Sequence, residues 1–213
     1  MIEGWGALLY AVAGAAVGRL LGVCIERLPD EPPASPVPHR ALVVSLLTAA
    51  LFGLLWLQFG PGVRLLVVTL YVSTLIVITF IDLEHRLILN NVIYPAILLG
   101  LPAALLYGNS VVSTLLGGGV GFLILFGFFL LAERLYPGRN AMGAGDVKLA
   151  TFIGVFVGFQ QIFPALFLGS MFGGVGSLAV LVLRAKGMRD VIPYGPFICA
   201  GGIAVLFLYA GRS

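Results

Sequence analysis

Apolar runs long enough to cross a bilayer follow one another along this chain, with charges standing singly between them. The stretch from Val43 to Leu57 holds no charged residue and shows no alternation of apolar and polar positions. Alternation would mark an outer-membrane strand. In lipid an open backbone polar group costs several kcal/mol, so uninterrupted runs of this kind must be helices. A crossing takes about 20 mostly apolar residues, and nearly the whole sequence divides into such lengths. Of 213 residues, 60% are hydrophobic and 10% charged, and the mean hydropathy is +1.10. A soluble domain carries roughly 25% charged residues, so this chain lacks the polar side chains to cover a globule in water. The fold class is all-α, a polytopic transmembrane bundle.

About eight spans are expected, near Trp5–Ile25, Ala41–Phe59, Gly62–Phe80, Val92–Tyr107, Val111–Leu131, Val147–Gly158, Ile162–Leu183 and Tyr194–Ala210. They form one integral-membrane domain over residues 1–213, with no separate soluble domain and no internal repeat. The first run has no basic stretch ahead of it and is followed by further spans, which reads as a span and not as a cleaved signal peptide. The 29 glycines suit close helix contact in lipid, and Gly117-Gly118-Gly119 and Gly173-Gly174 are expected at such contacts.

With the N-terminus outside, the inner loops carry Arg27, Arg40, Arg86, Arg134, Arg139, Lys148, Arg184, Lys186 and Arg189, while the outer segments carry Arg64 and Arg212. By the positive-inside rule both termini then face away from the cytoplasm. The same single placement of twelve basic residues argues against nucleic acid as the partner, although the calculated pI is about 9.1. Membrane lipid is the expected surrounding. The inner connector from Glu26 to Arg40 contains five prolines and reads as an extended, irregular segment. Cys24 and Cys199 lie in apolar stretches and read as buried, inert thiols.

Two acidic residues stand at the inner edge of spans and not in loops. Asp82 follows the apolar run 75–81 at the end of the third span, and Asp146 opens the sixth. Ionisable groups at such depth are costly and usually functional. Two carboxyl groups side by side share one proton, and such a pair can activate a water and donate to a carbonyl oxygen. Spacing alone leaves other readings open. Asp146 is a good helix N-cap, and Asp82 has Arg86 four residues on. Glu84 is expected to face a free cytoplasmic loop, and His39 and His85 read as solvated loop residues. No Ser-x-x-Lys, Gly-x-Ser-x-Gly or His-Glu-x-x-His arrangement occurs, so serine and metallopeptidase chemistry has no support.

Four stretches, in order, carry a family resemblance. Met142-Gly143-Ala144-Gly145-Asp146-Val147-Lys148-Leu149 resembles the GxGD-x-K-L signature of type IV prepilin peptidases and archaeal preflagellin peptidases. Gly18 to Pro29 resembles the first-span pattern ending in Arg-Leu-Pro, Asp82 to Asn90 the segment with the first catalytic aspartate, and Ile192 to Phe197 the motif opening the last span. The resemblance implies Asp82 and Asp146 as the catalytic pair. It also implies Gly143 and Gly145 as positions where backbone passes close to the active aspartate, and Pro193, Gly195 and Pro196 as site-shaping. Lys148 matches the signature lysine, which either meets an acidic group on substrate or dyad or reaches to the membrane interface. The implied substrate is a prepilin or pseudopilin, entering sideways from lipid and cut on the cytoplasmic side after the glycine that ends a short basic leader. The implied location is a prokaryotic cytoplasmic membrane.

Two departures qualify the match. Leu89 stands where the family usually has proline, and Asn90 where many members have a second aspartate. The first inner connector also lacks the paired Cys-x-x-Cys motifs that many bacterial members carry, which resemble a four-thiolate zinc site. No metal is therefore expected, and no cofactor unless N-methylation with S-adenosylmethionine is retained. Other readings are a GxGD peptidase for preflagellins, a transporter using the carboxylates as ion sites, and a non-catalytic pilus-assembly subunit. The sequence assigns no oligomeric state.

Overall fold

The structure, a computed structural model, describes residues 2–34, 36–135, 137, 143–182 and 193–209. Among these residues there are eight helices and no strand: α1 (Ile2–Arg27), α2 (Arg40–Phe59), α3 (Val63–His85), α4 (Asn90–Tyr107), α5 (Val111–Leu135), α6 (Ala144–Val157), α7 (Phe159–Val182) and α8 (Gly195–Tyr209). Six of them, α1 to α5 and α7, are long and apolar enough to cross a membrane. Met142, Ile192, Asp190 and the basic residues Arg139, Arg184, Lys186, Arg189 and Arg212 lie outside the described residues.

The expected spans match the helices closely, with one consequential difference. The third was expected to end at Phe80, but α3 continues to His85 and stops where Arg86 turns left-handed at φ 55°, its N–H bonding the Asp82 carbonyl at 2.9 Å. Asp82, Glu84 and His85 therefore ride on helix. Glu84 and His85 read as loop because they are polar, and Asp82 as the edge of the span, yet Asp82 and Glu84 are buried in protein.

The bundle is organised around α3 and α6. α1 and α2 form a hairpin packed on α3, while α4 and α8 each touch both α3 and α6. α5 and α7 complete the shell around α6. α3 and α6 meet through Tyr71, whose ring stacks on Phe156 at 4.0 Å between centroids. α6 has 14 residues, about 21 Å at 1.5 Å per residue, and ten of them are buried. It is shorter than the roughly 30 Å hydrocarbon layer, and its surroundings are other helices.

Lipid tails are as apolar as leucine, so helix contact in a bilayer depends on fit and not on removing surface from water. The α5–α6 contact follows that logic. A Cβ at Gly154 would run into the Gly117 carbonyl oxygen, and one at Gly121 into the Ala150 carbonyl. Gly118 packs on Val155 as expected, but Gly119 faces open space. Likewise Gly173 meets the Tyr194 ring whereas Gly174 meets nothing within 4 Å. Consecutive helical residues point about 100° apart, so an adjacent glycine does not share its neighbour's contact. Outward faces carry Leu8, Leu9, Leu98 and Leu123, exposed apolar side chains of the kind lipid covers.

Candidate active site

Asp82 and Asp146 reach the same end of the bundle from opposite helix ends. Asp82 sits in the last turn of α3 and is 6% exposed. Its Oδ2 accepts the Gly195 backbone N–H at 3.1 Å. That donor belongs to the first turn of α8, where helix geometry leaves N–H groups without an internal partner. The approach leaves no room for a side chain, since a Cβ on Gly195 would lie 2.6 Å from Oδ2. Pairing with Arg86 is not seen. Among the described residues the ion pairs are Arg40 with Glu26 and Arg40 with Glu84.

Asp146 lies in the first turn of α6 and is 8% exposed. It is not the N-cap. Gly143 holds that position in extended conformation, with Asp146 three residues on. The Asp146 N–H donates to the Gly143 carbonyl at 3.1 Å, closing the first turn of the helix. The two motif glycines do other work than expected. A Cβ on Gly145 would lie 2.9 Å from the Ile88 Cβ, so this glycine lets α6 start against the segment that follows α3. A Cβ on Gly143 would make only ordinary contact with Asp146, at 3.6 Å. The backbone that crowds an aspartate is that of Gly195.

Both aspartates line one cavity of about 1320 Å³. Leu125, Phe128 and Phe129 of α5 and Leu166 and Phe167 of α7 give it apolar walls. Asn90, Lys148, Ser170 and Tyr194 supply polar groups to its lining, and Pro193 also lines it. Lys148 donates to Asn90 Oδ1 at 2.7 Å and lies 4.9 Å from the Tyr94 ring centroid. It thus ties the start of α6 to the start of α4. Pro196 falls in the first turn of α8, where a missing N–H costs nothing. Glu133, near the end of α5, lines the same cavity and was not singled out from sequence. Leu89, in place of the usual proline, has φ −68° and ψ 129°, the conformation a proline would impose, and caps α4.

Glu84 is the clearest correction. Expected in a free loop, it is 1% exposed and paired with Arg40 at 2.7 Å. His39 is exposed, as expected, and precedes α2 in a left-handed conformation. Cys24, expected to be buried, is exposed on α1, whereas Cys199 is buried in α8; both are free. No three His, Cys, Asp or Glu side chains gather as metal ligands among the described residues.

Residues 69–178, from the middle of α3 into α7, match the type IV leader peptidase family. The chain belongs to that family. The matched segment contains both aspartates and the cavity walls of α5 and α7. Curated relatives include prepilin leader peptidase/N-methyltransferases. That of Aeromonas hydrophila is 33% identical over 175 residues, 81% of this chain and 60% of the relative. That of Dichelobacter nodosus is 32% identical over 177 residues, 83% and 60% of the two chains. That of Pseudomonas aeruginosa is 32% identical over 174 residues, 80% and 59%. The chain thus spans about 60% of the length of these relatives. No solved structure matches. Gly195, Arg40 and Pro193 lie outside the family's matched segment, although Gly195 bonds Asp82 directly.

Proposed function

We propose that this type IV leader peptidase family member is a membrane-embedded aspartic endopeptidase that removes leader peptides from prepilins or pseudopilins. The observation that carries the proposal is the convergence of two buried carboxyl groups, from α3 and α6, on one cavity with apolar walls. In the proposed reaction one of Asp82 and Asp146 takes a proton from a water as it attacks the scissile carbonyl carbon. The other, protonated, donates to the carbonyl oxygen. Collapse of the tetrahedral intermediate breaks the C–N bond and passes a proton to the leaving amine. Gly195 orients Asp82 through its N–H, and Lys148 ties α6 to α4 beside the site.

The walls of α5 and α7 suit a substrate whose cut site adjoins an apolar helix, admitted from lipid. The positive-inside distribution supports a cytoplasmic site, with both termini on the far side of a bacterial inner membrane. The relatives' names also carry N-methyltransferase. The connector of residues 28–39 has no cysteine pair, and we infer a peptidase-only activity that uses neither metal nor S-adenosylmethionine.

The test is to incubate the purified chain in detergent with a prepilin and S-adenosylmethionine, and to read the products by mass spectrometry. The expected result is one cut, after the glycine that ends the leader, leaving an unmethylated amine. Absence of cleavage would sink the peptidase reading. Cleavage with methylation would keep it and refute the peptidase-only inference.

A further inference from the structure

Two residues along a helix lie about 200° apart around its axis. Asp82 faces the cavity, so Glu84 faces the other way, toward the connector between α1 and α2. There both its carboxylate oxygens are engaged. Oε1 accepts the Val37 backbone N–H at 3.1 Å, and Oε2 accepts Arg40 Nη1 at 2.7 Å. The second terminal nitrogen of Arg40 reaches Glu26 Oε2, in the last turn of α1, at 3.2 Å. Glu26 is 70% exposed and Glu84 1%, so the two ion pairs differ in kind. An exposed pair contributes little. Removing one partner of a buried pair strands a charge away from water.

The last turn of α3 is therefore gripped from both sides just before it ends at Arg86. On one side Gly195 bonds Asp82, and on the other Arg40 and the Val37 amide bond Glu84. The final carbonyls of any helix lack internal partners and the turn tends to fray. Here that turn carries one of the two carboxyl groups. We propose that Arg40 and Glu84 are positioning residues for the cleavage reaction, clamping the end of α3 to the proline-rich connector so that Asp82 stays in register with Asp146. The proposal rests on the peptidase reading above. It gives the connector a task, and it explains why an acidic residue is buried beside Asp82 without lining the cavity.

The experiment compares Arg40→Gln, Glu84→Gln, their combination, Arg40→Lys and Glu26→Gln in the purified full chain. It reads kcat and KM for prepilin cleavage, together with amide hydrogen exchange over residues 82–86 and at Gly195. Arg40→Gln and Glu84→Gln should each lower kcat roughly 10- to 100-fold, the scale of a small misplacement of a catalytic group. KM should stay within about twofold, because the groups do not touch substrate. The double variant should be no worse than the worse single, since both break one interaction. Arg40→Lys should recover part of the loss, and Glu26→Gln should stay within about twofold of wild type. Exchange should quicken in the last turn of α3 and not across the bundle. Unchanged kcat and exchange would overturn the proposal. So would quickened exchange throughout, with kcat falling only as folded protein is lost. If the wild type cleaves nothing, the peptidase reading fails. The clamp then stands on exchange alone, supported by quickening confined to residues 82–86 and overturned by none.

Discussion

The distance from the Gly195 backbone to the Asp82 carboxylate is set by the absence of one methyl group. A Cβ there would lie 2.6 Å from Oδ2, closer than real carbon–oxygen contacts, so either the carboxylate or the start of α8 must give way. Gly195→Ala should lower kcat at least about tenfold, because misplacing a reacting group by about 1 Å costs up to 100-fold. Thermal melting should change little, since the substitution falls at a helix end and the carboxylate it crowds borders a cavity. Wild-type kcat in Gly195→Ala would mean that the Gly195–Asp82 bond does not orient the carboxylate. The motif around Gly195 was legible in the sequence, but its partner was not, because the contact joins residues 113 positions apart. Gly143 and Gly145 teach the converse. The motif was visible, yet which backbone crowds an aspartate depends on where α8 and the Ile88 segment come to rest.

The helices were legible from hydropathy because lipid forbids unpaired backbone, so each apolar run is one helix. Their ends were less so. Glu84 and His85 read as loop by polarity, and that placed Glu84 in solvent. Burial within protein overrides polarity at such positions, and only the packing of α2 and its connector reveals it. The turn from α3 to α4 is a second case. Its usual proline is absent, but Leu89 already holds φ −68°, and among the described residues its N–H makes no backbone hydrogen bond. Ile88 before it is not helical, as a following proline requires. Leu89→Pro should therefore keep activity within about twofold and stabilise the fold by roughly 0.4–1 kcal/mol through the unfolded chain. A lower melting temperature in Leu89→Pro would show that the turn needs more freedom than its backbone angles suggest.

For the molecule as a whole, class and the number of helices followed from composition and run length, whereas the neighbours did not. Nothing in a single sequence says that α3 meets α6, or that α4 and α8 flank both. Those adjacencies come from fit, such as the glycine contacts of α5 on α6 and the stacking of Tyr71 on Phe156. They convert two scattered aspartates into one cavity. The central claim is that these two carboxyl groups act together on a peptide bond, and it is tested most directly by substituting each alone. Asparagine keeps the shape but removes the titrating proton, so prepilin cleavage by purified Asp82→Asn and Asp146→Asn should fall by at least about 1,000-fold, near the upper range for losing proton transfer. Both proteins should remain folded in detergent. Cleavage at the wild-type rate by either folded variant would contradict the account.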